Sequence, residues 1–285
     1  MYNQLTASIV LYNNDPLDIE YISKGLIANN PHIHVCFVDN SNHTDLKNVC
    51  LRSIPYSDYI FTKSNVGYGA GHNFAIQKYL YLSKYHIVLN PDITIPPNTI
   101  NQLFNFMEMN PDIGLVMPQV RYPNGSNQYL CKLLPDPLDL IWRRFCPVKS
   151  LTEKRNKIYE LQFTGYNKIM EIPYLSGCFM FIRNKVLQHV GLFDENIFMY
   201  LEDVDLSRRI GKFYKTVFFP DAFVVHRYEK GSYKNIRLLL YHIQSACYYF
   251  SKWGWFMDKE RIQMNQDALQ KIVNQMEGNR GEDKK

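Results

Sequence analysis

Glu202, Asp203 and Asp205 place three carboxylates within four positions, where Phe198-Met199-Tyr200-Leu201 gives way to a helical pattern. Like charges that close resist joint ionisation and raise one pKa, while a helix N-terminus favours the anion. The apolar flank Phe193, Ile197, Phe198 and Met199 excludes water, so the cluster suits a carboxylate that accepts a proton. It also suits an acidic helix start that complements the dipole and pairs with Arg208 and Arg209 one turn on. The residues alone leave both open.

Four further groups have chemical potential of the same two-sided kind. Asn90-Pro91-Asp92 directly follows an apolar run. A carboxylate there can hold a divalent cation that bridges a diphosphate, or the three residues simply form a turn. Asn65-Val66-Gly67-Tyr68-Gly69-Ala70-Gly71-His72-Asn73 sets three glycines before a helix, where backbone amides can approach phosphate. The spacing is GxGxG with no P-loop lysine after it, and a flexible strand–helix loop explains it as well. Asp39, in Val38-Asp39-Asn40-Ser41-Asn42, can accept the imide N–H of uracil or thymine, or close an Asx-turn. His226 ends the apolar run Phe223-Val224-Val225, as a metal ligand or as a structural histidine with satisfied hydrogen bonds.

These groups need a frame. Apolar runs predict strands over Thr6 to Tyr12, Ile33 to Val38, Asp58 to Thr62, His86 to Leu89, Ile113 to Val120, Pro173 to Ile182 and Thr216 to His226, the last as one strand or two. Helices are predicted over Leu17 to Ala28, capped by Asp15 or Asn14 with Pro16 at the first position, and over Ala70 to Leu82 and Pro96 to Met109. Further helices are predicted over Asn184 to Val190, stopped by Gly191, over Glu202 to Ile210, and over Tyr233 to Phe256 and Asp258 to Met276. Pro123 to Tyr166 reads as loops, with a short helix near Leu138 to Phe145. The βαβ alternation predicts an α/β fold with a mostly parallel sheet flanked by helices. In such sheets ligands sit beyond the carboxyl ends of strands, where positions 39–42 and 90–92 fall.

Composition sets the bounds. The 285 residues accommodate one catalytic domain over 1–230, a helical extension over 231–277 and a polar, disordered tail over 278–285. The net charge of +5 comes without a Lys/Arg run long enough to favour nucleic acid. Cys36, Cys50, Cys131, Cys146, Cys178 and Cys247 form no CxxC pair, and Met1 to Ala7 is polar. Both features lead to the expectation of free thiols in a cytoplasmic setting. Tyr233 to Phe256 mixes eight aromatic residues with Lys234, Arg237 and Lys252. Such a helix can lie in a membrane interface, or pack on the core or on a second copy in a homodimer.

Together the strings Asp39-Asn40-Ser41, Asn65 to Asn73, Leu89 to Asp92, Leu175-Ser176-Gly177-Cys178-Phe179-Met180 and Gly191-Leu192-Phe193-Asp194 running into Glu202-Asp203-Val204-Asp205 resemble the family-2 glycosyltransferases of GT-A fold. The likeness is greatest to their bacterial rhamnosyltransferase-like branch and spans roughly residues 5 to 250. It implies a nucleotide-diphosphate sugar donor, a glycan acceptor that is lipid-linked or an oligosaccharide, and Mg²⁺ or Mn²⁺. Asp203 would be the base, with Glu202 and Asp205 shaping the site and Arg209 pairing with these acids or approaching the diphosphate. Asp39 would contact the base beside Tyr12 and Asn13, and Asn65, Gly67, Gly71 and Asn73 would line the nucleotide. Asn90 and Asp92 stand at the ends of the family's DxD motif, with Asp92 a metal ligand and His226 the second. Ser176 and Gly177 would floor the sugar site.

Asn90 replaces the first Asp of DxD. Within this resemblance that favours a dTDP-rhamnose donor and removes one charge from the metal site, so the cation would arrive largely with the donor. No Gln-x-x-Arg-Trp string of processive synthases occurs, which implies single-sugar, inverting transfer in surface-polysaccharide synthesis, on O-antigen or capsule. A UDP- or GDP-sugar donor would need no change of fold. A nucleotidyltransferase would carry a Gly-rich, Arg-Lys loop where this chain reads Leu11-Tyr12-Asn13-Asn14-Asp15-Pro16. A non-catalytic glycan-binding module is the reading that Asn90 alone would favour.

Overall fold

The computed structural model describes residues 4–140, 149–227 and 236–282. The chain runs β1 (Leu5–Leu11), α1 (Pro16–Asn29), β2 (His34–Asp39), α2 (Lys47–Ser53), β3 (Ser57–Phe61), α3 (Tyr68–Tyr79), β4 (Tyr85–Leu89), β5 (Ile93–Thr94), α4 (Thr99–Met109) and β6 (Ile113–Arg121). It continues through β7 (Cys131–Lys132), α5 (Lys149–Tyr159), β8 (Met170–Glu171), β9 (Tyr174–Leu175), β10 (Phe179–Arg183), α6 (Asn184–Val190), α7 (Glu202–Gly211), β11 (Lys215–His226), α8 (Ile236–Trp253) and α9 (Lys259–Glu282).

The main sheet has the order β3-β2-β1-β4-β10-β6-β11-β5, with β8 also on β11. Pairings β1/β2, β1/β4, β2/β3 and β6/β11 are parallel, while β10 runs against both β4 and β6. β1 and β4 are buried along their whole length, as strands covered on both faces require. The carboxyl ends of β1, β2, β4 and β11 therefore share one sheet edge. The reversed β10 brings its amino end, and the preceding Ser176–Cys178 turn, to that same edge.

The mixed α/β architecture matches the expectation, and its departures have local causes. Asp15 caps α1 by accepting the Leu17 N–H at 2.9 Å, which selects it over Asn14. α3 begins at Tyr68, so Gly69 and Gly71 lie inside its first turn. α4 begins at Thr99 because Pro96-Pro97 precede a left-handed Asn98. The run Pro173 to Ile182 is broken into β9 and β10, because β9 pairs with β7 while β10 joins the main sheet. β11 is one strand with a register shift between Phe219 and Phe223, where Pro220 withholds a ladder donor. α2 is only seven residues long and α5 is strongly polar, and neither was predicted from the sequence. Of the helix expected at Leu138 to Phe145, residues 137–140 are helical and 141–148 lie outside the described residues, as do Tyr233 to Asn235. α9 reaches Glu282, well into the stretch expected to be disordered.

The C-terminal helices pack on the catalytic core. Tyr249 and Phe250 of α8 cluster with Leu134, Leu201 and Val204, and Ile272 of α9 joins the main core. Both helices close around Arg208 of α7, whose side chain is 1% exposed. Asp258 grips its guanidinium from both nitrogens at 2.6 and 2.7 Å, Glu260 adds a contact at 2.9 Å, and Trp253 stacks on it at 4.2 Å. Burial alone would raise the Asp258 carboxyl; hydrogen bonds and charge from Arg208 overcome that and hold it below the usual range. Replacing Asp258→Ala leaves the buried cation with only the partly exposed Glu260 as counter-charge and should cost about 3 kcal/mol of stability in urea unfolding. A loss under about 1 kcal/mol, the scale of an exposed pair, would show that the clamp is not needed.

Candidate active site

A cleft of about 1320 Å³ opens along the shared sheet edge. At its middle, Asp92 Oδ2 lies 3.3 Å from His226 Nε2, and Asn90 Nδ2 lies 3.4 Å from the same nitrogen. The ring of His226 is oriented from behind. Gln128 donates its amide N–H to the His226 carbonyl at 2.7 Å, so its Oε1 faces His226 Nδ1 at 2.9 Å and accepts from it. In the neutral ring this puts the proton on Nδ1 and turns the Nε2 lone pair toward Asp92. An imidazole aligned by its other nitrogen, beside a carboxylate, fits a hard divalent cation. No third His, Cys, Asp or Glu joins them among the described residues. The remaining ligands of such a cation must come from a bound phosphate group and water.

Asp203 faces the cleft from the start of α7. Its Oδ2 accepts the Gly177 N–H at 2.8 Å and the Tyr174 hydroxyl at 3.2 Å, and its Oδ1 accepts the Val204 N–H at 2.9 Å. Glu202 beside it is 5% exposed, and its Oε2 has no partner among the described residues. Burial pushes both carboxyls up; the charge of Asp203 pushes Glu202 further, while the three donors and the charge of Lys132 restrain Asp203. The surroundings of the two acids thus differ: burial disfavours charge on both, while donors that favour the ionised form gather at Asp203. A charged, oriented carboxylate in a half-buried cleft is equipped to accept a proton.

Of the residues singled out from sequence, Tyr12, Asn65, Gly67, Asn90, Asp92, Ser176, Gly177, Glu202, Asp203 and His226 line this cleft. Gly67 takes φ +94° to start α3, and any Cβ there would strike the Phe198 carbonyl oxygen. The others lie elsewhere. Asp39 is buried, its carboxylate accepting from the Ser41 N–H at 2.9 Å and the Tyr59 hydroxyl at 2.6 Å, so it closes the turn and does not face the cleft. Asn13 is exposed, its N–H donating to Ser41 Oγ at 2.8 Å. Gly71 serves packing: a Cβ would come within 2.8 Å of Val10 on β1. Asn73 ties the 193–195 segment through Phe193 and Glu195. Asp205 is fully buried against Arg209, Lys252 and Trp253, and Arg209 also holds the carbonyls of Val190 and Leu192. Asp205 and Arg209 thus anchor α7 from its far side and do not shape the cleft.

Several contributors carried no sequence signal of their own. Gln128 and Lys132 fall in the stretch read as loops, and Tyr174 sat unremarked in a strand. Tyr68 lies between Gly67 and Gly69, where the pattern points to the backbone and not to the side chain. His242, which reaches the cleft from α8, is distant in sequence from every motif.

The family model described as glycosyl transferase family 2 matches residues 6–191, well over half of the chain. An N-acetylglucosaminyl-diphospho-decaprenol L-rhamnosyltransferase of Mycobacterium tuberculosis is 26% identical over 244 residues, covering 79% of this chain and 76% of that protein. The rhamnosyltransferase WbbL of Escherichia coli is 24% identical over 246 residues, 82% of this chain and 89% of the relative. Among solved structures, GalNAc-T7 with UDP, GalNAc and Mn²⁺ superposes with a TM-score of 0.62 at 18% identity. The match covers 79% of this chain but only 43% of that one, so this chain spans less than half of that structure's length.

Proposed function

The chain belongs to glycosyl transferase family 2 and is a glycosyltransferase of GT-A fold, and we propose that it transfers one L-rhamnosyl residue from dTDP-rhamnose, with inversion, to a lipid-linked or oligosaccharide acceptor of a bacterial surface polysaccharide. One observation carries this reading: a single cleft holds the oriented carboxylate of Asp203 and the Asp92–His226 pair. The rhamnosyl donor is supported by the names of the two relatives and by Asn90 at the head of the DxD-like turn. A UDP-sugar donor is the second reading, favoured by the fold shared with a structure solved with UDP.

Asp203 takes the proton of an acceptor hydroxyl as that oxygen attacks the anomeric carbon on the face opposite the diphosphate. Gly177 and Tyr174 hold the carboxylate on line. Single displacement inverts the centre. Held by Asp92 and His226 together with the donor, Mg²⁺ or Mn²⁺ would offset the charge growing on the departing diphosphate.

The acceptor's lipid is supported by the decaprenol in one relative's name and by α8. Ile236, Leu240 and Ile243 recur along one exposed face of that helix, while its next-door residue His242 lines the cleft. No described helix is long and apolar enough to cross a membrane. We place the enzyme on the cytoplasmic leaflet with this face in the lipid interface and the cleft mouth at the bilayer.

Calorimetric titration with dTDP, UDP and GDP, each with Mn²⁺, tests the donor: dTDP should bind most tightly, and preference for another nucleotide would replace it. Asp203→Asn should bind the nucleotide normally yet transfer roughly 10²–10⁴-fold more slowly. In the wild type, transfer should fall as pH drops, beginning above the range of an ordinary aspartate because the folded pKa is raised and only the ionised form works. An Asn variant of full activity would remove Asp203 from the mechanism. In vesicle flotation with anionic lipid the protein should float, and Leu240→Glu should release it; wild-type protein left wholly in solution would end the membrane placement.

A further inference from the structure

One hydroxyl touches both working halves of the cleft. Tyr68 Oη lies 2.9 Å from Asn90 Oδ1 on the cation side and 2.7 Å from the Gly177 carbonyl oxygen on the base side. Gly177 in turn donates its N–H to Asp203. The tyrosine is held there independently of both partners. Its N–H donates to the Phe198 carbonyl at 2.9 Å, and its ring meets His72 edge-on with centroids 4.5 Å apart.

A phenol has one proton, and it cannot serve two acceptors fully. The Gly177 carbonyl can only accept. Asn90 has a choice, because its amide can turn end for end and offer either its oxygen or its NH₂ group. As it stands, Oδ1 shares the Tyr68 proton and Nδ2 points at His226 Nε2. Turned, Nδ2 donates to the Tyr68 oxygen, the Tyr68 proton goes wholly to Gly177, and Asn90 Oδ1 faces His226 and Asp92. In the neutral ring, with its proton on Nδ1 facing Gln128 Oε1, the turned arrangement gathers an amide oxygen, an imidazole lone pair and a carboxylate. A divalent cation satisfies that set, and an amide oxygen is an ordinary ligand of Mg²⁺ and Mn²⁺.

We infer that Tyr68 is a positioning residue whose hydroxyl accepts the turned Asn90 amide, so that the Asn90 oxygen reaches the cation at Asp92 and His226 while the Gly177 loop stays seated under Asp203. This rests on the transfer reading above. It also gives Asn90 a purpose that Asp could not fulfil, since a carboxylate has no N–H to return to Tyr68.

The test is a Mn²⁺ titration of the protein saturated with dTDP, followed calorimetrically for wild type, Tyr68→Phe, Asn90→Ala and the double variant. Tyr68→Phe keeps the ring packing and loses only the hydroxyl. It should leave the melting temperature in place and weaken Mn²⁺ binding roughly 5- to 50-fold, the range expected when a buried partner is left unsatisfied. Adding Asn90→Ala to it should weaken binding little further, because the two act through one interaction. Additive losses, or Mn²⁺ affinity unchanged in Tyr68→Phe, would overturn the inference while leaving the enzyme reading intact. Failure of the wild type to bind nucleotide with Mn²⁺ would overturn both. Should Tyr68→Phe lower the melting temperature, Asn90→Asp decides: an oxygen available without turning should tighten Mn²⁺ binding, and weaker binding would refute the ligand role of Asn90.

Discussion

The buried guanidinium of Arg208 is the constraint on which the rest of the active site depends. It sits on α7, two turns or less from Glu202 and Asp203, and its counter-charges come from the segment leading into α9. A buried cation without partners is very costly, so α7 can be seated only when the C-terminal helices are in place. The same helix is held on its other flank by Asp205 with Arg209, Lys252 and Trp253. With its back and flank clamped, α7 has one way to face, and its first turn is presented to the cleft. The acidic run thus contains both an anchor and a working end, separated by the helical period.

At that working end, two adjacent acids acquire different characters from different surroundings. Asp203 meets three donors while Glu202 Oε2 has no partner among the described residues, although both acids are buried enough to be pushed toward neutrality. The donors come from β9, from the turn before β10 and from α7 itself. The break between β9 and β10 is what frees the Gly177 N–H for this purpose. A continuous strand would have committed it to a ladder.

Across the cleft, His226 and Asp92 meet because β11 and β4 end at the same sheet edge, although 134 positions of chain separate the two residues. Gln128, from a third segment, decides which nitrogen of the histidine is available. Tyr68, from a fourth, bridges this corner to the Asp203 side. The polar groups of the site form one connected set, drawn from elements whose order in the sheet differs from their order in the chain.

By itself, the sequence determined what depends on local pattern. Apolar runs predicted the strands, Pro16 and Asp15 the start of α1, Gly191 the stop of α6, and clustered motif residues the end of the sheet where the cleft lies. It could not decide which way each polar side chain turns. Asp39 and Asp92 both follow strands, yet one is consumed by Ser41 and Tyr59 while the other faces the cleft. Asp203 and Asp205 lie two positions apart on one helix, which sends them to different faces, but only the packing of Lys252 and Trp253 reveals which face is covered. Gly71 and Gly67 look equivalent in the loop, yet one makes room for Val10 and the other for the Phe198 carbonyl. A side chain's role is set by the partners that reach it, and those partners come from distant segments that only the tertiary fold brings within hydrogen-bonding range.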